Sequence, residues 1–193
     1  DIHAAKTGML GDAAIIAAVA DAISRNGLRP LVCDPVMVAK SGDPLLRDDA
    51  VDSMKKLLFP LATIVTPNRR EAAALTGIDA ASLATISAAR EAARRIAALG
   101  AAAVVVKAIE AGDRMIDVLF DGGDCVELSG PLHPDGRNHG SGCAFSAAIA
   151  AGLALGRGVA DAVGQAKTLV NLAIRDAQPL GHGTLPVNVP RAC

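Results

Sequence analysis

Leu31-Val32-Cys33-Asp34-Pro35 is a short apolar run that stops at a carboxylate and a proline, and the chain uses the same plan twice more. Ala62-Thr63-Ile64-Val65 stops at Thr66-Pro67-Asn68, and Ala102-Ala103-Val104-Val105-Val106 stops at Lys107. Runs this short and this apolar fit strands buried on both faces. The segments between them have helical period. Before the first run, a short segment around Ile2 to Thr7 leads through Gly8-Met9-Leu10-Gly11 into a helix with Ile15, Ile16, Val19 and Ile23 on one face, stopped by Asn26-Gly27. After it come predicted helices over 48–58, from Asn68, and over 82–99. Strands alternating with helices imply an α/β fold in three layers, a mostly parallel central sheet with helices on both faces. Further on, 115–120 and 125–128 flank Asp121-Gly122-Gly123-Asp124 and read as a β-hairpin. Two helices starting near Ser141 and Val159 complete a single domain over 1–193.

Composition supports this reading. The apolar half of the chain is dominated by alanine, with three Phe and neither Trp nor Tyr, so packing relies on small side chains in closely spaced layers. Nineteen basic residues against twenty acidic ones, scattered rather than clustered, argue against a nucleic-acid partner. Cys33, Cys125, Cys143 and Cys193 form neither a Cys-x-x-Cys pair nor a zinc spacing with the four His, which argues for a reducing, cytoplasmic setting. No apolar run reaches membrane-spanning length, so a membrane partner is not expected. The chain begins at Asp1 in what reads as the middle of a fold, which suggests missing upstream sequence.

In parallel sheets ligands collect at the carboxyl ends of the strands, and there the sequence delivers Asp34, Thr66-Pro67-Asn68 and Lys107. Asp34 could hold a metal ion or close an Asx turn. Asn68-Arg69-Arg70-Glu71 has the pattern of a capping box, with Asn68 as cap and Glu71 three residues on, and Glu71 could also join a magnesium and phosphate network. Lys107 could meet phosphate oxygens or simply leave its strand for solvent. Asn138-His139-Gly140-Ser141-Gly142-Cys143 opens a helix of small residues. Unpartnered N–H groups and the helix dipole favour an anion there, and the glycines let it approach closely. Cys143 is either a reactive thiol in that first turn or one more small packing residue. His139 could contact phosphate or hydrogen-bond locally. The polar, Gly-bearing stretch Ala39-Lys40-Ser41-Gly42-Asp43 reads as a mobile loop beside Asp34.

Taken in order, Lys6-Thr7-Gly8-Met9-Leu10-Gly11, Asp34-Pro35-Val36-Met37-Val38-Ala39-Lys40-Ser41-Gly42, Thr66-Pro67-Asn68-Arg69-Arg70-Glu71, Lys107 and His139-Gly140-Ser141-Gly142-Cys143 closely resemble the hydroxymethylpyrimidine/phosphomethylpyrimidine kinases of thiamine biosynthesis. These have the ribokinase-like fold, and the resemblance runs from about Lys6 to Val187. It implies ATP- and magnesium-dependent phosphorylation of 4-amino-5-hydroxymethyl-2-methylpyrimidine and then of its monophosphate. Gly140, Ser141 and Gly142 would form the anion hole at the transferred phosphate, and Cys143 would stand where sugar kinases of the wider fold carry an Asp base. Met9 and Val36 match positions lining the pyrimidine pocket, Asn68, Lys107 and His139 the ATP site, and Asp34 and Glu71 the magnesium site. The resemblance also implies a homodimer.

Three features depart from the family pattern. Its opening strand and glycine-rich substrate loop have no counterpart in the chain. Lys107-Ala108-Ile109-Glu110 stands where many relatives have Lys-Gly-Gly-His, which places bulk and a negative charge near the nucleotide phosphates, and Arg137-Asn138 replaces Asn-Thr. The other readings are a pyridoxal kinase-like enzyme, which shares the phosphate machinery, and a catalytically inactive truncated fragment.

Overall fold

The computed structural model describes residues 1–37, 46–133, 138–178, 182 and 185–189; the loop expected over 39–43 lies outside them. Six strands form one sheet in the order in which they occur in the chain: β1 (Ala5–Thr7), β2 (Leu31–Cys33), β3 (Ile64–Val65), β4 (Val104–Ala111), β5 (Arg114–Phe120) and β6 (Val126–Pro131). The first four are parallel, and β4 to β6 are antiparallel. Among the described residues, six α-helices cover the sheet: α1 (Ala13–Arg25), α2 (Asp48–Ser53), α3 (Arg69–Thr76), α4 (Ile86–Ala97), α5 (Ser141–Ala154) and α6 (Val159–Arg175).

The strand period of two sorts side chains into two cores. Leu31, Cys33, Val65, Val104 and Val106 face a cluster shared with Ile16, Met54, Leu75 and Ile96, on the side of α1 to α4. Val32, Ile64, Val105 and Leu119 face a second cluster with Ile149, Ala162, Ala166 and Val170 of α5 and α6. The expected three-layer arrangement is therefore present. Small residues let neighbouring helices approach closely: a Cβ added at Gly152 of α5 would lie 3.0 Å from that of Ala162 in α6.

Several boundaries differ from the sequence reading for identifiable reasons. Within the segment 2–7 only Ala5–Thr7 is strand, and Ile2 lies exposed. On α1, Ile16, Ala20 and Ile23 are buried, whereas Ile15 faces outward. The helix over 48–58 continues beyond Ser53 as a π-helical turn, Met54–Leu58. The single helix expected over 82–99 is two pieces, because Thr85 adopts an extended backbone and its Oγ1 accepts the Ala88 N–H at 3.2 Å, capping α4. A 3₁₀ turn, Ser82–Ala84, precedes it. The largest difference is at Lys107, which is not a strand end: β4 continues to Ala111 and turns through Gly112, at φ +64°, into β5. The expected hairpin of 115–120 and 125–128 is present as β5 and β6.

Candidate active site

The carboxyl ends of the parallel strands lie side by side. The Asp34 N–H donates to Thr7 O, Thr66 N–H to Cys33 O and Lys107 N–H to Pro67 O, so β1 to β4 hand their exit residues to one edge. Asp34 is 2% exposed and its carboxylate is heavily used. Oδ1 accepts from Thr66 Oγ1 at 2.9 Å and Lys107 Nζ at 3.0 Å, and Oδ2 faces Ser146 Oγ at 3.3 Å. Lys6 Nζ donates to the same Ser146 hydroxyl at 3.3 Å. Cys33, directly before Asp34, belongs to the core. Burial pushes its thiol up to about 12, which keeps it out of chemistry at neutral pH.

Asn68 and Glu71 form the expected capping box. Asn68 Oδ1 accepts the N–H groups of Arg70 and Glu71 at 2.9 and 3.0 Å, and Glu71 Oε2 accepts the Asn68 N–H at 2.7 Å. This does not exclude a chemical role, because Glu71 is buried and lines the same cavity as Asp34 and Lys107. Burial raises its carboxyl from 4.5 to about 7; nearby Lys107 and backbone hydrogen bonds from Asn68 and Met37 oppose the rise, and Asp34 adds to it.

Opposite this edge stands the start of α5. Gly140 caps it in the left-handed region, at φ +82°, where glycine avoids the steric cost of a side chain. The Ser141 N–H turns back to Asn138 O at 3.2 Å, and the Ala144 N–H makes the first intrahelical bond, to Gly140 O. Gly142 and Cys143, the second and third helical residues, have no carbonyl within the helix to receive their N–H groups. A Cβ at Gly142 would lie 3.5 Å from Lys107 Nζ, an ordinary contact distance, so the ammonium stands directly over the helix start. Lys107 Nζ also lies 5.9 Å from the centre of the Phe145 ring. The Cys143 side chain is exposed.

The Asp34–Lys107 pair, the α3 capping box and the start of α5 line one cavity of about 540 Å³. It gathers Asp34, Val36, Asn68, Glu71, Lys107, His139 and the run Gly140 to Cys143, ten of the eleven candidates read from the sequence. Met9 is the exception: it is 61% exposed in the loop after β1 and does not line the cavity. His139 lines it through a segment held by backbone, its N–H donating to Leu185 O and its carbonyl accepting from Val187 N–H. Of the family departures, Ile109 is buried in the core and Glu110 is exposed outside the lining, so the expected negative charge beside the phosphates is absent from the cavity wall.

The far half of the cavity escaped the sequence reading. Met115 and Asp117 of β5, His133, and Lys167, Val170, Asn171 and Ile174 of α6 form it. Lys167 Nζ pairs with Asp117 Oδ2 at 2.9 Å, both side chains under one-tenth exposed. The signals were a carboxylate within the apolar run 115–120 and a lysine on the apolar face Ala162, Val163, Ala166, Val170. Ser146 carried a similar signal as a hydroxyl four residues after Gly142.

An α/β sandwich with polar strand ends facing a glycine-opened helix has the layout of a phosphate-transferring enzyme. The chain matches the phosphomethylpyrimidine kinase model over residues 1–188 and belongs to that family. It is 45% identical to a hydroxymethylpyrimidine/phosphomethylpyrimidine kinase of Rhizobium meliloti, covering 97% of this chain and 71% of the relative. It is 44% identical to a bifunctional thiamine biosynthesis protein of Geobacter sulfurreducens, covering 97% of this chain but 38% of that longer protein. Among solved structures, an ADP complex of Bacillus subtilis pyridoxal kinase superposes with a TM-score of 0.87 at 36% identity, over 97% of this chain and 69% of that one. Phosphomethylpyrimidine kinase of Clostridium difficile gives 0.74 at 31% identity, over 89% and 69%. The fold is the ribokinase-like fold of these neighbours. No helix among the described residues is long and apolar enough to cross a membrane.

Proposed function

We propose that this chain carries the phosphoryl-transfer half of an ATP-dependent hydroxymethylpyrimidine/phosphomethylpyrimidine kinase. The observation that carries the proposal is the meeting, in one cavity, of the Asp34–Lys107 pair, Glu71 and the free N–H groups at the start of α5. The γ-phosphate of ATP would rest on Gly142 and Cys143 N–H, with Lys107 beside it and the Ser141 hydroxyl within the same cradle. Cys143 would face the substrate hydroxymethyl group and take up or share its proton as the oxygen attacks phosphorus in line. Most of the acceleration would come from position and fixed charge. The apolar wall of Met115, Val170 and Ile174 suits the nucleoside, with Asn171 and His133 as polar partners.

Charge balance supports a divalent cation. Each lysine lining the cavity is already paired with a carboxylate, Lys107 with Asp34 and Lys167 with Asp117, so neither brings surplus positive charge to a triphosphate. Asp34 and Glu71 supply hard oxygen ligands. The described residues contain no cluster of three or more metal-ligating side chains, but magnesium needs only one or two carboxylates together with substrate phosphates. Bound there, it would neutralise phosphate charge and favour ionised Glu71.

The test is ADP release by purified chain with hydroxymethylpyrimidine, its monophosphate or pyridoxal as acceptor, with and without magnesium. Turnover of both pyrimidines supports the proposal. Turnover of pyridoxal alone would move the chain to the pyridoxal kinase reading, which the superposition on pyridoxal kinase favours. Absence of turnover and of Mg·ATP binding by calorimetry would favour an inactive fragment. We extend the same reading to a homodimer acting in the cytoplasm; sedimentation velocity tests the dimer.

A further inference from the structure

We propose that the buried Asp117–Lys167 pair is a clamp that positions Lys107, acting through a bulge in β4. The inference deepens the kinase reading, because the task assigned to Lys107 rests on it.

The strand register shows where the clamp acts. Val106 pairs with Val118 and Ile109 with Ile116, so Lys107 and Ala108 together oppose Asp117 alone. Two residues against one is a β-bulge, a device that re-aims side chains. Its consequence here is visible in burial: Val106 and Ile109, three residues apart, both face the α1–α4 core. Without the extra residue, strict alternation would send Ile109 to the opposite face. Lys107 thus stays on the α5 side, above Gly142, while the strand resumes its core pattern beyond it.

The bulge has a cost and a compensation. Ala108 sits at φ +65°, the one non-glycine residue in the left-handed region among those described, a conformation unfavourable for a residue with a Cβ. Its N–H donates to Asp117 Oδ1 at 2.9 Å, replacing the ladder bond lost at the bulge. The other carboxylate oxygen, Oδ2, meets Lys167 Nζ at 2.9 Å. Lys167 therefore supplies the counter-charge that lets a buried carboxylate serve as the bulge's acceptor, and α6 is tied through Asp117 to the residue that follows Lys107. These are positioning residues: neither Asp117 nor Lys167 touches Lys107 Nζ, whose partner is Asp34.

The test replaces both partners by apolar residues of similar size, Asp117→Leu with Lys167→Met, which avoids stranding a single buried charge and is expected to keep the fold. If the double variant does not fold, Asp117→Asn serves instead, since the neutral amide keeps an acceptor for Ala108 but weakens it. Amide exchange at Ala108 and the ¹⁵N signal of the Lys107 ammonium are followed by NMR, alongside the KM for ATP. The expected result is exchange at Ala108 about tenfold to a hundredfold faster, as for loss of one charge-assisted hydrogen bond, with a shifted or broadened Lys107 signal and a raised KM. Adding Ala108→Gly, which accepts φ +65° freely, is expected to restore the Lys107 signal and lower KM again. Unchanged Ala108 protection and Lys107 signal in a folded variant, or no recovery with Ala108→Gly, would overturn the proposal. Both NMR readings are independent of turnover, so an inactive wild-type chain would count against the kinase reading and leave this inference to be decided on its own data.

Discussion

Replacing Glu71 by Gln is expected to stabilise the protein at alkaline pH while impairing its function. Glu71 is buried, and burial raises its carboxyl from 4.5 to about 7 against the opposing pull of Lys107. The native state thus holds this proton more tightly than the unfolded chain does. The resulting stability is fully present below pH 4.5, declines as the unfolded chain ionises, and is lost once pH passes about 7. At 1.36 kcal/mol for each tenfold difference in proton affinity, ionised Glu71 costs the fold about 3 kcal/mol at pH 8. Glutamine stays neutral and keeps the carbonyl that accepts the Asn68 N–H, so the capping box survives. Urea unfolding followed by circular dichroism, without nucleotide or magnesium, should give equal stabilities at pH 5 within about 1 kcal/mol. At pH 8 the variant should be about 3 kcal/mol more stable, at an unchanged m-value. A Glu71→Gln variant less stable than the parent chain at pH 8, or a difference that does not vary with pH, would refute the reasoning. Lower stability at pH 8 would mean that Lys107 outweighs burial and holds Glu71 ionised; a difference independent of pH would mean that the opposing effects cancel.

Cys143→Ser should lower turnover by about 100-fold, the scale of positioned proton transfer, while the KM for ATP stays within about twofold because the backbone N–H cradle is retained; steady-state kinetics decide, and unchanged turnover removes the thiol from the mechanism. Gly140→Ala places a Cβ at φ +82° and should cost about 1–2 kcal/mol with reduced turnover, whereas equal thermal stability would show that the cap relaxes freely. Asn68→Ala removes the acceptor for two N–H groups of α3 and should cost about 1–2 kcal/mol in urea unfolding; Asn68→Ser should recover most of it, and an undiminished stability for Asn68→Ala would show that water replaces the cap.

The parallel half of the fold was legible where its strands are short, fully buried and followed at once by a polar residue, as β2 and β3 are. Leu31-Val32-Cys33 matches β2 without adjustment, and Asn68 caps α3 with the partners its spacing predicts. The antiparallel half obeyed a different rule that one residue concealed. Ala108 interrupts the alternation of β4 with a backbone conformation that sequence does not advertise in an alanine, so Lys107 read as an exit and the turn at Gly112 went unnoticed. Thr85 broke a predicted helix in the same way, through a side chain that competes with the backbone.

The same division explains the site. The end proposed to hold phosphate is built from strand exits and a helix start, where a polar residue interrupts no apolar pattern and therefore stands out. Its far end is built from Asp117 in mid-strand and Lys167 in mid-helix, where a charge contradicts the local apolar pattern and becomes intelligible only when its partner is found fifty residues away in sequence. Neither residue could be assigned alone, since a buried charge is costly until the opposite one meets it. Lys107 joins the two ends: its ammonium pairs with Asp34 at the strand exits, and its backbone is followed by the residue that Asp117 holds. A change at the α6 end of the cavity should therefore reach the phosphate end through β4, without any contact between Lys167 and the transferred group.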